Sequence, residues 1–307
     1  MSTDQLVLLL AAAVGAGTPL VLAGLGEVFA ERSGVLNLGI DGVMLIGAMA
    51  GFAVVLTTGD PWLGVGASLL AGGLLGAGHA LLTVTLGTEQ VTTGLALAMF
   101  GTGLSAFLGK PLIGIPNPAP FAAVPLPGLS GLPVLGRVLF QQNALVYASY
   151  ALALIGWLWL MRTRQGLHLR ACGEDPAAAD AVGVNVTMVR YAATVGGAAL
   201  AGLAGGYLSL AYTPAWTENM TGGLGWIAIG LVVFSTWHPL RLLAGAYLFG
   251  AVEVAGFWAQ LAGIEMSSIL LRMAPYLFTL VVLVLITWAR GAAGMPAALG
   301  RPYFRER

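Results

Sequence analysis

The chain has 307 residues, 58% of them hydrophobic and only 8% charged, with a mean hydropathy of +0.89. That composition excludes an ordinary soluble surface and identifies a polytopic membrane protein. Its 13 basic and 13 acidic residues cancel, so no overall charge recruits nucleic acid or an acidic partner, and charge is informative only by position.

A membrane-crossing helix needs roughly 20 mostly apolar residues. In chain order, stretches of that kind lie at about 6–26, 35–57, 63–86, 91–108, 144–161, 191–213, 242–262 and 269–288. No basic residue precedes the first span, the only charged one there being Asp4, so it lacks the basic n-region of a cleaved signal peptide and is expected to stay in the protein. A ninth, shorter apolar stretch, 224–236, can cross only in a thin or broken form. Residues 111–133 are too rich in proline for a helix and read as an extended surface loop. Small residues four apart, Gly72 with Gly76 and Gly202 with Gly206, let helix backbones approach, inside one chain or at a dimer interface.

Residues 162–190 form the one long polar island between apolar spans. Within it Asp175 precedes Pro176, good helix formers follow, and Gly183 ends the run: a cap, a proline at the first helical position and a glycine stop predict a short helix. A helix so short is marginal alone and is expected to be pinned by neighbouring helix ends or by a partner.

Arg162, Arg164, Arg170 and Arg190 cluster in the island, and Arg290, Arg301, Arg305 and Arg307 crowd the tail, so both segments are expected to face the cytosol. Two cytosolic ends require an even number of crossings between them, which holds only if 224–236 also crosses. The parity gives about nine transmembrane helices, one of them short or broken, in an all-α polytopic fold. It places 26–34, 87–90 and 238–241 inside, with the N-terminus, 111–133 and 212–220 outside. No linker separates two soluble domains, and 1–307 reads as a single transmembrane domain.

The island GLHLRACGEDPAAADAVGVNVTMVRY (166–191) resembles the coupling-helix region of permease subunits of bacterial ABC importers in the ribose and branched-chain amino-acid permease family. ERSGVLNLGIDGVMLIGA (31–48) resembles the N-terminal signature of that family. The stretches 88–111 and 205–253 are similar to its nucleoside-uptake branch. The resemblance implies a permease in the bacterial cytoplasmic membrane that pairs with a second permease subunit. It also implies cassette ATPases below, which bind the ATP, and an extracytoplasmic substrate-binding lipoprotein above. It further implies that Glu174, Asp175, Pro176, Ala177, Ala178, Ala179, Asp180 and Gly183 carry the coupling to the ATPase.

The residues agree with a chain that is not itself an enzyme. No GxxxxGK[ST] loop for ATP phosphates is present: the nearest run, Gly103 to Lys110, has one residue too many and continues into Pro111. The three histidines share no ligand spacing, and the single cysteine, Cys172, reads as a small filler, so neither a metal nor a catalytic constellation can be assembled. Polar groups in apolar spans mark solute paths or internal locks. Asn37 and Asp41 share a helix face and either line the pathway, bind the backbone of a broken helix or pair with Arg32. Glu253 is a pathway group or an interhelical lock, and Glu89 and Gln90 raise the same question. Tyr212, Trp216 and Trp226 can stack a nucleobase or anchor the chain at a membrane interface. Permeases for simple sugars or branched-chain amino acids are alternatives within the family. An ion-coupled carrier using Asp41 and Glu253 is the alternative outside it.

Overall fold

The computed structural model describes residues 3–261 and 294–304, with positions 273, 277, 281 and 284 as well. The expected span at 269–288, Arg290, Arg305 and Arg307 thus lie wholly or largely outside the described residues. The elements are α1 (Thr3–Arg32), α2 (Ile40–Thr58), α3 (Pro61–Ala80), α4 (Gln90–Gly109), β1 (Ala123–Pro125), α5 (Leu135–Leu139), β2 (Gln141–Asn143), α6 (Ala144–Arg162), α7 (Arg164–Glu174), α8 (Pro176–Ala181), α9 (Val186–Tyr207), α10 (Leu224–Phe234) and α11 (Pro239–Leu261). Wider π-turns extend α3 to Thr85 and α9 to Tyr212. Six of these helices are long and apolar enough to cross a membrane.

Local chemistry sets many of the helix starts. Asp60 accepts from Trp62 N–H, Asn143 from Leu145 and Val146, Thr163 from Gly166, and Asn185 from Met188. Each side chain satisfies donors that the first helical turn leaves without partners. The 111–133 segment is mostly exposed, and its β1 pairs antiparallel with β2 in the register Ala123↔Asn143.

Packing places α1, α2 and α9 at the centre, where most of their residues are buried, while α3, α4 and α6 expose apolar side chains. Backbone approach explains the glycines. A Cβ on Gly26 would overlap the Gly197 carbonyl, and a Cβ on Gly197 would overlap the carbonyl of Gly26, so α1 and α9 cross through a reciprocal glycine contact. Gly72 and Gly76 meet Ala198 of α9, and Gly202 and Gly206 meet Ser68 of α3. These small residues therefore close an intramolecular seam between α3 and α9.

The two ends of the bundle differ. At one, Arg190 donates to the carbonyls of Ser33 and Arg301, Gly300 N–H bonds Gly34, and Ala298 N–H bonds Gly173. This basic end gathers the α1–α2 link, α7, α8, the α10–α11 link and the 294–304 segment. At the other, Arg137 pairs with Asp4 at 3.1 Å and Pro116 bridges to Ala215.

Two expectations change. Residues 26–34, expected as a cytosolic turn, instead continue α1 to Arg32, because Glu27 and Glu31 find buried partners (below) that make the helix tolerable. The polar island holds a second helix, α7, before the predicted short one.

Candidate functional site

Two irregular segments enter the bundle, in opposite senses. From the basic end, the chain after α1 does not restart at the boundary. Residues 33–39 climb back into the bundle, where Asn37 N–H donates to Glu27 Oε1 at 3.2 Å, about one and a half turns above the end of α1. Gln90 Oε1 accepts from Leu36 N–H at 2.7 Å and His79 Nε2 lies 3.0 Å from the Leu36 carbonyl, so the climbing backbone is paired by side chains. From the far end, the chain after α9 descends through 213–223, and only then does α10 begin. Eleven residues make about 16 Å of helix, half of a roughly 30 Å hydrocarbon layer.

The starts of α2 and α10 meet at Asp41. Its Oδ1 accepts from Gly225 N–H at 3.0 Å and its Oδ2 from Thr221 Oγ1 at 3.1 Å. One carboxyl thus sits in the first turn of α2 and before the first turn of α10, where both helix dipoles present their positive ends. Gly225 is required by this approach, since a Cβ there would lie 2.5 Å from Asp41 Cα. Asn37 Oδ1 accepts from Gly39 N–H at 2.9 Å, an Asx-type turn that feeds the chain into α2. Irregular backbone at membrane depth is tolerated where protein groups pair it, as these side chains do.

The remaining candidates divide by exposure. Trp216 is fully buried against Leu45, Ile46, Met49 and Phe52 of α2, whereas Trp226 and Tyr212 remain 41% and 40% exposed. Glu253 is half-buried on α11 and lies near Tyr212. Glu89 is exposed and caps α4, and the Thr92 hydroxyl and N–H with Val91 N–H hold its carboxyl below the ordinary carboxylate range.

Sequence reasoning missed Glu27 and Glu31, which are 2% and 1% exposed. Glu31 Oε2 accepts from the Trp237 indole N–H, tying α1 to the α10–α11 link. Arg32 points elsewhere, to the carbonyls of Thr236 and Trp237 and to Glu174 at 4.0 Å. The one sequence signal was their spacing of four residues, which puts both on a single helical face. A second group, Tyr147, Tyr150 and Tyr247, stacks edge to face with ring centroids 6.2 and 5.9 Å apart. It joins α6 to α11, which are far apart in sequence.

At the basic end, α8 stands out from the bundle. Asp175 caps it by accepting from Ala178 N–H at 3.0 Å, Pro176 opens it, and Gly183 turns the chain with φ +88°. Ala179 anchors it in a small cluster with Cys172, Val184 and Val186. Ala177, Ala178, Ala181, Gly183 and, at 81%, Val182 face solvent, as do Glu174 and Asp175. Asp180 is held by Tyr303 Oη at 3.2 Å. Burial pushes the Cys172 thiol up, which leaves it a packing group. Among the described residues no group of three His, Cys, Asp or Glu side chains could hold a metal.

Residues 9–289 match the model of the branched-chain amino acid transport system permease component family. The chain is 40% identical to the "Putative glucose ABC transporter permease protein TsgC13" of Haloferax volcanii, over 97% of this chain and 98% of that one. It is 34% identical to the guanosine ABC transporter permease protein NupQ of Bacillus subtilis, over 94% of each chain. The nucleoside ABC transporter permease protein NupC of Lactococcus lactis gives the same identity and coverage. No solved structure matches.

Proposed function

The chain belongs to the branched-chain amino acid transport system permease family, and on that premise we propose that it forms the membrane path of an ATP-driven importer of nucleosides. A multi-pass membrane permease of an ABC transporter follows from the family and from six apolar membrane-length helices. The nucleoside reading is supported by two relatives named for guanosine and nucleoside transport. The relative named for glucose favours a second reading, a sugar permease. A ribose and a hexose share the hydroxyl-rich ring that either path must accept.

The observation that carries the permease mechanism is α8. Its exposed alanines and Val182 form a small apolar knob on the basic end, with its base fixed by Ala179 and Asp180. That end faces the cytosol by its arginines, so the knob is the contact for a cassette ATPase that supplies the nucleotide chemistry. A second permease and a lipid-anchored binding protein complete the assembly, and nine crossings, with α10 as a half-length one, complete the topology. In this arrangement Asp41, Asn37 and Trp216 hold the joint of the two broken helices as the wall of the path. The more accessible Glu253, Trp226 and Tyr212 face the solute.

The test is uptake of labelled guanosine by vesicles that contain the assembled transporter. Guanosine uptake that needs ATP and resists excess glucose supports the nucleoside reading. Competition by glucose moves the assignment to sugars. Uptake by this chain alone, abolished by a protonophore, would identify an ion-coupled carrier instead.

A further inference from the structure

A cavity of about 460 Å³ opens between α1, α6, α7 and α9 near the basic end. Phe29, Trp159, Leu169, Val189 and Gly196 give it an apolar wall, and Gln165 and His168 of α7 contribute its polar groups. Its shape is built. The Trp159 ring stands edge-on to Phe29 with centroids 5.6 Å apart, and its indole N–H donates to Gln165 Oε1 at 3.0 Å. Opposite, Gly196 leaves space, since a Cβ there would meet nothing within 4 Å. The volume is in the range of cavities that enclose small organic groups.

The charge around it has one sign. Arg162 ends α6 one turn after Trp159, and Arg164 opens α7 one turn before His168, on the face that carries the cavity residues. Arg162, Arg164 and His168 are exposed, and among the described residues neither arginine has a carboxylate within 4.0 Å, in contrast to Arg32 and Arg137. An apolar slot beside a membrane helix with two unpaired guanidinium groups beyond its end is complementary to a molecule with an alkyl chain and an anionic head at the bilayer surface. Arginine is suited to the head because its planar fork matches phosphate oxygens.

We propose that this cavity binds one acyl chain of an anionic phospholipid, with the headgroup phosphate held by Arg162 and Arg164. The site does not depend on which solute the protein transports.

The full-length chain is reconstituted in nanodiscs that contain phosphatidylglycerol or phosphatidylcholine brominated along the acyl chain. Bromine quenches tryptophan on contact, and the difference between wild type and Trp159→Phe isolates the Trp159 signal. Phosphatidylglycerol is expected to quench Trp159 at a lower mole fraction than phosphatidylcholine. Arg162→Gln and Arg164→Gln should each weaken that preference about fivefold, as one basic group at an anionic surface implies. Gly196→Leu should fill the cavity and cut the quenching. Equal quenching by the two lipids would mean ordinary bilayer contact and overturn the site. An unquenched Trp159 would mean that protein closes the cavity, and would overturn it as well. If Gly196→Leu does not fold, the arginine variants decide, and an unchanged lipid preference in both defeats the proposal.

Discussion

Asp41→Ala tests whether the joint between the half-helices is a lock. The carboxyl is 7% exposed and accepts from Gly225 N–H and Thr221 Oγ1 at 3.0 and 3.1 Å. Alanine leaves two buried donors without partners, and each such loss costs about 1–3 kcal/mol. It also removes a negative or polar group from the start of two helices, where the dipole contributes roughly 0.3–1 kcal/mol. Destabilisation should therefore reach about 3 kcal/mol or more, which lowers the melting temperature by about 5 °C or more at roughly 2 cal/mol/K of unfolding entropy per residue. Asp41→Asn keeps an acceptor for Gly225 and a side-chain amide that the Thr221 hydroxyl can accept from, so it should recover most of the loss. The assay is thermal unfolding of the purified chain followed by size exclusion, with uptake measured per assembled complex. An Asp41→Ala protein that melts like wild type yet transports nothing would refute the lock and make Asp41 a direct solute contact.

Four further outcomes follow from the geometry. Ala178→Arg, on the exposed face of α8, should change stability by no more than about 0.5 kcal/mol yet abolish co-purification of the ATPase; retained binding and uptake would remove α8 from the interface. Glu31→Gln, which keeps an acceptor for Trp237, should melt near wild type, whereas Glu31→Ala should lose about 1–3 kcal/mol by stranding the buried indole donor; equal melting of the two would show that the bond contributes nothing. Glu89 is held below its ordinary value of 4.5, so its contribution is complete above that pH and is lost as pH falls through the lower folded value; Glu89→Gln should flatten this acid limb in a pH series of melting curves. A cysteine replacing Leu129, 45% exposed on the 111–133 loop, should react with an impermeant maleimide added outside cells, while buried Cys172 should not; the reverse pattern inverts the orientation.

The parts legible in the sequence were those fixed by near neighbours. Asp175, Pro176 and Gly183 specify α8 within nine residues, and the structure uses each one for the expected role. Apolar length located six membrane-length helices, and Gly72, Gly76, Gly202 and Gly206 signalled a close seam, although the partner helix could not be read from either pair alone. What was not legible depends on distant partners. Glu27 and Glu31 fell in the 26–34 stretch read as lying inside the cell; their burial is made acceptable by Asn37 N–H and by Trp237, 206 positions from Glu31. Trp216 read by its type as a base-stacking residue or a membrane-interface anchor, but the 213–223 segment carries it into a buried cluster with α2.

The same dependence explains why α10 is short. A continuous crossing would satisfy its backbone within one helix, and the apolar run of 224–236 gives no reason to stop. The chain instead breaks at Gly222 and Gly223, both with positive φ, and the first free N–H of α10 is met by a side chain from the other half of the molecule. A backbone group whose partner lies 184 residues away can be released without unwinding a helix. The Asp41 joint therefore ties the start of α2 to the start of α10, and α10 runs from it to the link that Glu31 and Arg32 tie to the basic end. Glu174, at the end of α7, lies 4.0 Å from Arg32, which donates to the carbonyls of Thr236 and Trp237 in that link. The short helix, its glycines and the buried carboxyls thus form one continuous run of contacts from the basic end to the joint of α2 and α10.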